Sequence, residues 1–238
     1  AGVRYSITNP RDYLNSNLIG FFNILDLSKD FKVSSFIYAS SSSVYGDNNK
    51  FPLKEEYNTD RPLSFYAASK KSNEILAHSY SNIYNLQTIG LRFFTVYGPY
   101  GRPDMALFKF INNINQNKKI QLFNNGNHFR DFTHIDTFLH IIEKLIFKPS
   151  KKKTPFNIFN IGNGKSEALM KFIDLIEKNL NRKSKIIKKP LQRGDVLKTH
   201  SSVKKITNYL SLKKKNISKN LRQGIKDYVN WYRSYYSK

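Results

Sequence analysis

Apolar side chains recur along the first hundred residues with two different periods. After Pro10, "RDYLNSNLIGFFNILDLSKD" places Tyr13, Leu14, Leu18, Phe21, Phe22 and Leu25 on one face of a helix. "SSFIYASS" (34–41) is a short apolar run of the kind that forms a buried strand, and it leads into the turn-rich "VYGDNNKFP". A second helix is predicted from about Ser64 to Tyr84, and "LQTIGLRFFTVYG" (86–98) reads as another buried strand ending at Gly98-Pro99. Two helix–strand pairs in succession predict an α/β fold, a parallel sheet covered by helices. Beyond Pro99 the pattern is mixed: a helix over 104–116, a strand over 119–124, "RDFTHID" (130–136) and a helix to about Phe147. A strand and turn over 155–164, an amphipathic helix over 166–180 and a last helix over 217–236 follow.

Composition narrows this picture. With 238 residues, 39% of them apolar, the chain can bury the core of one large or two modest domains. The absence of cysteine excludes disulfides, thiolate metal sites and a Cys nucleophile, and fits a reducing compartment. No metal site is predicted. No apolar run reaches the roughly 18 residues of a membrane span and no signal pattern opens the chain, so a cytoplasmic protein with no membrane partner is expected.

Charge is the loudest bulk feature, 40 Lys+Arg against 17 Asp+Glu for a net +23. Such a field attracts anions in general. The basic clusters "KPSKKKTP" (148–155), "NRKSKIIKKP" (181–190) and "LKKKNISKNLR" (212–222) are mostly Lys. No zinc finger, aromatic RNA-binding signature or basic zipper accompanies them, so they read as solvated surface, with no nucleic acid expected as partner.

The candidate chemistry begins with "SFYAASKKSNEILAH" (64–78). Tyr66 and Lys70 stand four residues apart and share a helix face. An ammonium beside a phenol favours the phenolate, which can take a proton from an alcohol. The spacing alone is equally met by an ordinary helix surface. Upstream, "ASSSSVYG" (39–46) puts hydroxyls at the C-terminal end of a predicted strand, where open α/β sheets bind ligands. Ser41 can there share a substrate hydroxyl with Tyr66; the alternative is a plain polar turn.

"SSSSVYG" followed at this distance by "YAASK" resembles the extended short-chain dehydrogenase/reductase family of nucleotide-sugar enzymes. "GLRFFTVYGPYGRPDMALFKF", "RDFTHID" and "GIKDYVNWYRSYY" are similar to its UDP-glucuronate 4-epimerase branch, and the likeness runs through essentially the whole chain. The resemblance implies a Rossmann-like doubly wound sheet with a smaller α/β substrate domain, NAD as cofactor and a UDP-sugar as substrate. The implied isomerase reaction is 4-epimerisation of UDP-glucuronate to UDP-galacturonate through a 4-keto intermediate. It implies Tyr66 as general base, Lys70 on the nicotinamide ribose and Ser41 on the 4-hydroxyl. Ser16 and Phe94 would contact the dinucleotide, Arg130 the nucleotide diphosphate, and Gln192 and Asp195 of "QRGD" the same nucleotide. Ser42, Ser43 and Thr95 would touch substrate. For Arg130, a salt bridge to Asp131 or Asp136 is the structural alternative.

Two positions discriminate within the family. Related dehydratases carry an Asp-Glu pair where this chain has Ser42 and Ser43, which favours simple epimerisation. Arg102 in "GPYGRPDM" would face the sugar carboxylate, as a guanidinium is suited to do, or else serve as ordinary surface. Pinning that carboxylate would also restrain the 4-keto acid from losing carbon dioxide. The alternatives are an epimerase of a neutral UDP-hexose, or a non-catalytic basic module descended from such an enzyme.

The expected organisation is residues 1–100 as the later half of the dinucleotide domain, with 130–148 returning to it. Residues 101–129 and 149–238 would form the substrate domain. A homodimer through the helices near 9–29 and 64–84 is plausible. One departure stands out: the family's opening G-x-x-G-x-x-G turn is missing, and "GNG" (162–164) is too late and too short to replace it. The resemblance places roughly 80 family residues before Ala1, the span of the first strand–helix–strand units. The chain is therefore expected to expose a sheet edge, bind NAD poorly and turn over little unless that region is supplied in trans.

Overall fold

A computed structural model describes residues 2–148, 155–192, 194–213 and 219–236. Helix α1 (Val3–Thr8) precedes a long helical stretch that opens with Pro10 at its first position, where proline's missing N–H costs nothing. That stretch is α2 (Pro10–Tyr13), a π-helical segment (Leu14–Ile19) and α3 (Gly20–Asp30), with helical dihedrals at each junction. Strand β1 (Phe36–Ser41) runs into a 3-10 turn (Ser42–Tyr45) and then α4 (Phe65–Tyr84). Ser64 Oγ caps α4 by accepting from the Ala67 N–H at 3.2 Å, and left-handed Asn85 ends it.

The order continues with β2 (Thr88–Phe93), β3 (Thr95–Tyr97), α5 (Ala106–Asn115), β4 (Lys119–Phe123), β5 (Phe129–His134) and α6 (Ile135–Ile146). Then follow β6 (Phe156–Ile161), β7 (Ser166–Ala168), α7 (Leu169–Leu180), β8 (Lys185–Lys189), α8 (Lys204–Leu210) and α9 (Leu221–Tyr236).

Strands β1, β2 and β6 form a parallel sheet in the order β1-β2-β6, with Ser40, Arg92 and Asn160 in one register line. One face packs Ile89, Leu91, Phe159 and Ile161 against Ile141 and Leu145 of α6 and Ile206 of α8. The opposite face sets Tyr38 and Ile158 against Ala77 of α4. A second core joins β4, β5, α5, α7 and α9 through Ile111, Phe132, Phe172 and Ile225. The second sheet has the order β3-β5-β7, and β4 pairs with β8 in a third.

The structure corrects several expectations. The apolar run 86–98 is two strands in two sheets, broken at Phe94, whose N–H donates to the Ile161 carbonyl at 3.1 Å. Residues 149–238 do not all lie apart from the first sheet: β6 is its third strand and α8 packs on it. Helix α7 starts at Leu169, because 166–168 pairs with β5. Within the basic run 181–190, β8 pairs with β4 by backbone alone while its lysines stay exposed. Parts of the other two basic runs, 149–154 and 214–218, lie outside the described residues. Strand β1 has β2 on one side and, among the described residues, no strand on the other. Helices α3 and α4 keep Phe22, Leu27, Ile75 and Ile83 exposed. No described helix is long and apolar enough to cross a membrane.

Candidate active site

The C-terminal end of β1 and the first turn of α4 meet at three side chains. Ser41 closes β1, and its Oγ accepts from the Ser43 N–H at 3.1 Å, so the serine-rich turn is wound on its own hydroxyl. The turn leaves through Gly46 at φ 59, where a Cβ would collide with the Arg61 carbonyl; only glycine fits. Tyr66 sits half-buried in the first turn of α4, with its phenol near Ser41 and its ring edge-on to Tyr13, ring centroids 6.1 Å apart. Burial pushes the Tyr66 phenol above its ordinary value, while the neighbouring Ser41 hydroxyl and the Arg102 charge pull it back.

Lys70 behaves differently from the simple expectation. Its ammonium donates to the Ala39 carbonyl at 2.9 Å, and burial lowers its pKa. It is anchored on the end of β1, and Arg102 adds a positive charge that lowers the phenol's pKa. Arg102 lies on a half-exposed turn, forked on Asp104 with Nε–Oδ1 3.0 Å, and its field reaches both Tyr13 and Tyr66.

The π-helical segment supplies a contact that the apolar periodicity did not reveal. Asn17 Nδ2 donates to Ser69 Oγ at 2.9 Å, and that hydroxyl donates to the Tyr66 carbonyl at 2.8 Å. An extra residue per turn re-aims one side chain without ending the helix. The available signal was a polar Asn17 between Leu14 and Leu18 of the apolar stripe. Ser16 is exposed in the same segment. Phe94 commits its ring to a small core with Val44, Tyr45 and Leu53 beneath the serine turn.

A cleft of about 140 Å³ adjoins this group and brings together Ser42, Ser43, Thr95, Arg130, Asp195 and Thr199. Arg130 pairs with neither Asp131 nor Asp136. Its Nη1 donates to the carbonyls of Phe129 at 3.1 Å and Leu197 at 3.0 Å, and burial lowers its pKa against the opposing charge of Asp195. Asp195 lies 3.8 Å from Arg4 and 4.0 Å from His128, two residues the sequence reading did not single out. Gln192 belongs to the same loop, and its buried Oε1 has no hydrogen-bond partner among the described residues. Arg193 lies outside them.

His128 and His134 give a pH dependence with a definite sign. Burial depresses both imidazoles, reinforced by Arg130 at His128 and by Lys219 at His134, with Asp195 and Asp136 opposing. Below the unfolded value of about 6.5 the unfolded chain binds protons that the folded chain refuses, so stability falls as pH drops. Urea unfolding is expected to show a lower free energy near pH 5.5 than near pH 7.5, and His128→Gln is expected to shrink that difference. A profile flat across this window would contradict it.

Residues 1–162 match the NAD dependent epimerase/dehydratase family. The chain belongs to that family. It is 45% identical to Protein CapI of Staphylococcus aureus, covering 100% of this chain and 75% of that protein. It is 38% identical to a probable UDP-glucuronate 4-epimerase of Rhizobium meliloti, over 98% of this chain and 72% of that one. The crystal structure of UDP-glucuronic acid 4-epimerase from Bacillus cereus, in complex with UDP-glucuronic acid and NAD, superposes with a TM-score of 0.91 at 28% identity, over 99% of this chain and 73% of that one.

The class of this epimerase/dehydratase member is that of an NAD-dependent isomerase on a Rossmann-like α/β fold. The donors present fit the nicotinamide end of NAD. Lys70 spends one of its three ammonium protons on Ala39, leaving others for a ribose diol beside the Tyr66 phenol. The chain's sequence contains no G-x-x-G-x-x-G turn, so no residue is assigned to the pyrophosphate.

Proposed function

We propose that this epimerase/dehydratase member converts UDP-glucuronate to UDP-galacturonate by 4-epimerisation. The observation that carries the reading is the meeting of the end of β1 with the first turn of α4, which sets the Tyr66 phenol near the Ser41 hydroxyl and within the influence of Arg102, grouping a proton acceptor, a hydroxyl partner and a cation for a sugar carboxylate. Tyr66 takes the proton of the 4-hydroxyl while Ser41 holds that hydroxyl in line. NAD, when bound, supplies the hydride acceptor for C4 and a ring cation that favours the Tyr66 phenolate. After the 4-keto sugar turns over, the hydride would return to the opposite face of C4 as Tyr66 gives its proton back to the C4 oxygen. Arg130, balanced by Asp195, supplies cationic charge for the nucleotide diphosphate. Ser42 and Ser43 bring no carboxyl acid to the ring, so elimination of water has no proton donor in this turn.

Arg102→Ala tests the substrate assignment. A hydrogen bond to a charged group is worth about 1.5–3 kcal/mol, so the preference for UDP-glucuronate over UDP-glucose in kcat/KM is expected to fall at least tenfold. Release of carbon dioxide per turnover is expected to rise. The assay is run on this chain alone and with a G-x-x-G-x-x-G strand–helix unit supplied as a separate polypeptide. An unchanged acid preference refutes the role of Arg102, and equal use of UDP-glucose by the parent chain points to a neutral hexose substrate.

A further inference from the structure

One layer below Ser41, a buried polar row crosses the first sheet. Ser40 of β1, Arg92 of β2 and Asn160 of β6 stand in register, and Glu74 of α4 reaches down onto them. Glu74 Oε1 accepts from Ser40 Oγ at 2.6 Å and from Arg92 Nε at 2.8 Å, and Oε2 accepts from Arg92 Nη2 at 2.8 Å. Arg92 Nη1 donates to the Glu55 carbonyl at 3.1 Å, and the guanidinium lies 4.8 Å from the centroid of the Tyr45 ring. The Tyr45 hydroxyl donates to Asn160 Oδ1 at 2.6 Å. Glu74 and Arg92 are each 4% exposed.

Each member is covalently close to the candidate site. Ser40 precedes Ser41, and Tyr45 ends the turn that carries Ser42 and Ser43. Glu74 follows Tyr66 and Lys70 at successive four-residue steps along one face of α4. Stability is a weak reason for such a row, because well-packed apolar residues commonly hold a fold as well as a buried ion pair does. A guanidinium fork on a carboxylate adds direction and fixed distance, which apolar packing does not. Placing Tyr66 beside Ser41 needs both. Sliding α4 by one residue moves Tyr66 about 1.5 Å along the helix axis, several times the tolerance of an O–H···O bond.

We propose that Glu74 and Arg92 are a positioning pair that fixes α4 over β1 and thereby holds Tyr66 beside Ser41. The proposal rests on the reading of Tyr66 as the proton acceptor, and its test reads the contact directly, without cofactor or substrate. Tyrosines are labelled at the ring ζ carbon, and Tyr66→Phe assigns the Tyr66 signal. The displacement of that signal by Ser41→Ala at neutral pH measures the contact.

In Arg92→Lys, and in the apolar double variant Glu74→Met/Arg92→Met, that displacement is expected to fall to less than about half its parental size. A purely structural role predicts otherwise: a variant with restored Tm would regain the whole displacement. A full displacement in either folded variant overturns the proposal, and Arg92→Lys decides alone where the double variant fails to fold. Failure of the parent chain to turn over any UDP-sugar would sink the epimerase reading and leave this measurement standing. Where turnover is measured, kcat is expected to drop with KM within about threefold of the parent.

Discussion

Replacing Tyr66 with phenylalanine is expected to lower kcat for UDP-sugar epimerisation by roughly 10²–10⁴-fold, the usual contribution of a positioned acid–base group. The substitution removes one oxygen and keeps the ring that packs edge-on against Tyr13. KM and Tm therefore stay near their parental values, and the loss falls on the chemical step. Steady-state kinetics with thermal unfolding separate the two effects. A kcat within about threefold of the parent would mean that the 4-hydroxyl proton goes elsewhere.

The largest expected loss of stability is at Asp131. Its carboxylate is fully buried and accepts from Ser201 N at 2.9 Å, Ser201 Oγ at 2.6 Å, Asn163 N at 2.6 Å and Gly164 N at 3.1 Å. Its own N–H donates to Thr199 Oγ1 at 3.0 Å. Asp131→Ala removes the acceptor of the Ser201 N–H and Oγ–H and of the Asn163 N–H, while the Gly164 N–H keeps Ser201 Oγ at 3.2 Å, and a loss of about 3–5 kcal/mol is expected, a large share of a domain's usual 5–15 kcal/mol. Asp131→Asn keeps one acceptor oxygen and costs less. Denaturant titration measures both. A loss below about 1 kcal/mol for the alanine variant would show that these hydrogen bonds are replaced by water. Because Arg130 and Thr199 line the cleft beside this hub, the same variant is expected to weaken UDP-sugar binding.

The parts of the fold that were legible in the sequence are those written as apolar runs. Strands β1 and β2, helix α4 and the amphipathic α5, α7 and α9 each bury one patterned face, so periodicity located them. The break at Phe94 was not legible, because a continuous apolar run says that a strand is buried and not which sheet buries it. Strand β8 was hidden by its lysines: Ile186 and Ile187 stand side by side between them without the alternation of a half-buried strand, and its pairing to β4 is a backbone ladder. At the site, residue types and spacing suggested Tyr66 with Ser41, and the family resemblance suggested Arg102. Partners supplied by the backbone escaped, such as the Ala39 carbonyl on Lys70 and the Phe129 and Leu197 carbonyls on Arg130. "GNG" read as a turn, yet Gly162 lies where a Cβ would strike the Ser201 hydroxyl, a contact that only the folded chain discloses.

The chain leaves the first sheet after β2, builds about half of the second core, returns to the first sheet with β6, and completes the second core with α7 and α9. This interleaving has a consequence during synthesis. Strands β1 and β2 emerge from the ribosome with one flank of β2 unpaired until residues 156–161 follow, a wait of several seconds at about 5–20 residues per second. The Asp131 carboxylate waits longer, for Ser201. Neither core is complete until residues late in the chain have been made, β6 and α8 for the first and α7 and α9 for the second, so an unpaired strand edge stands open in the interval.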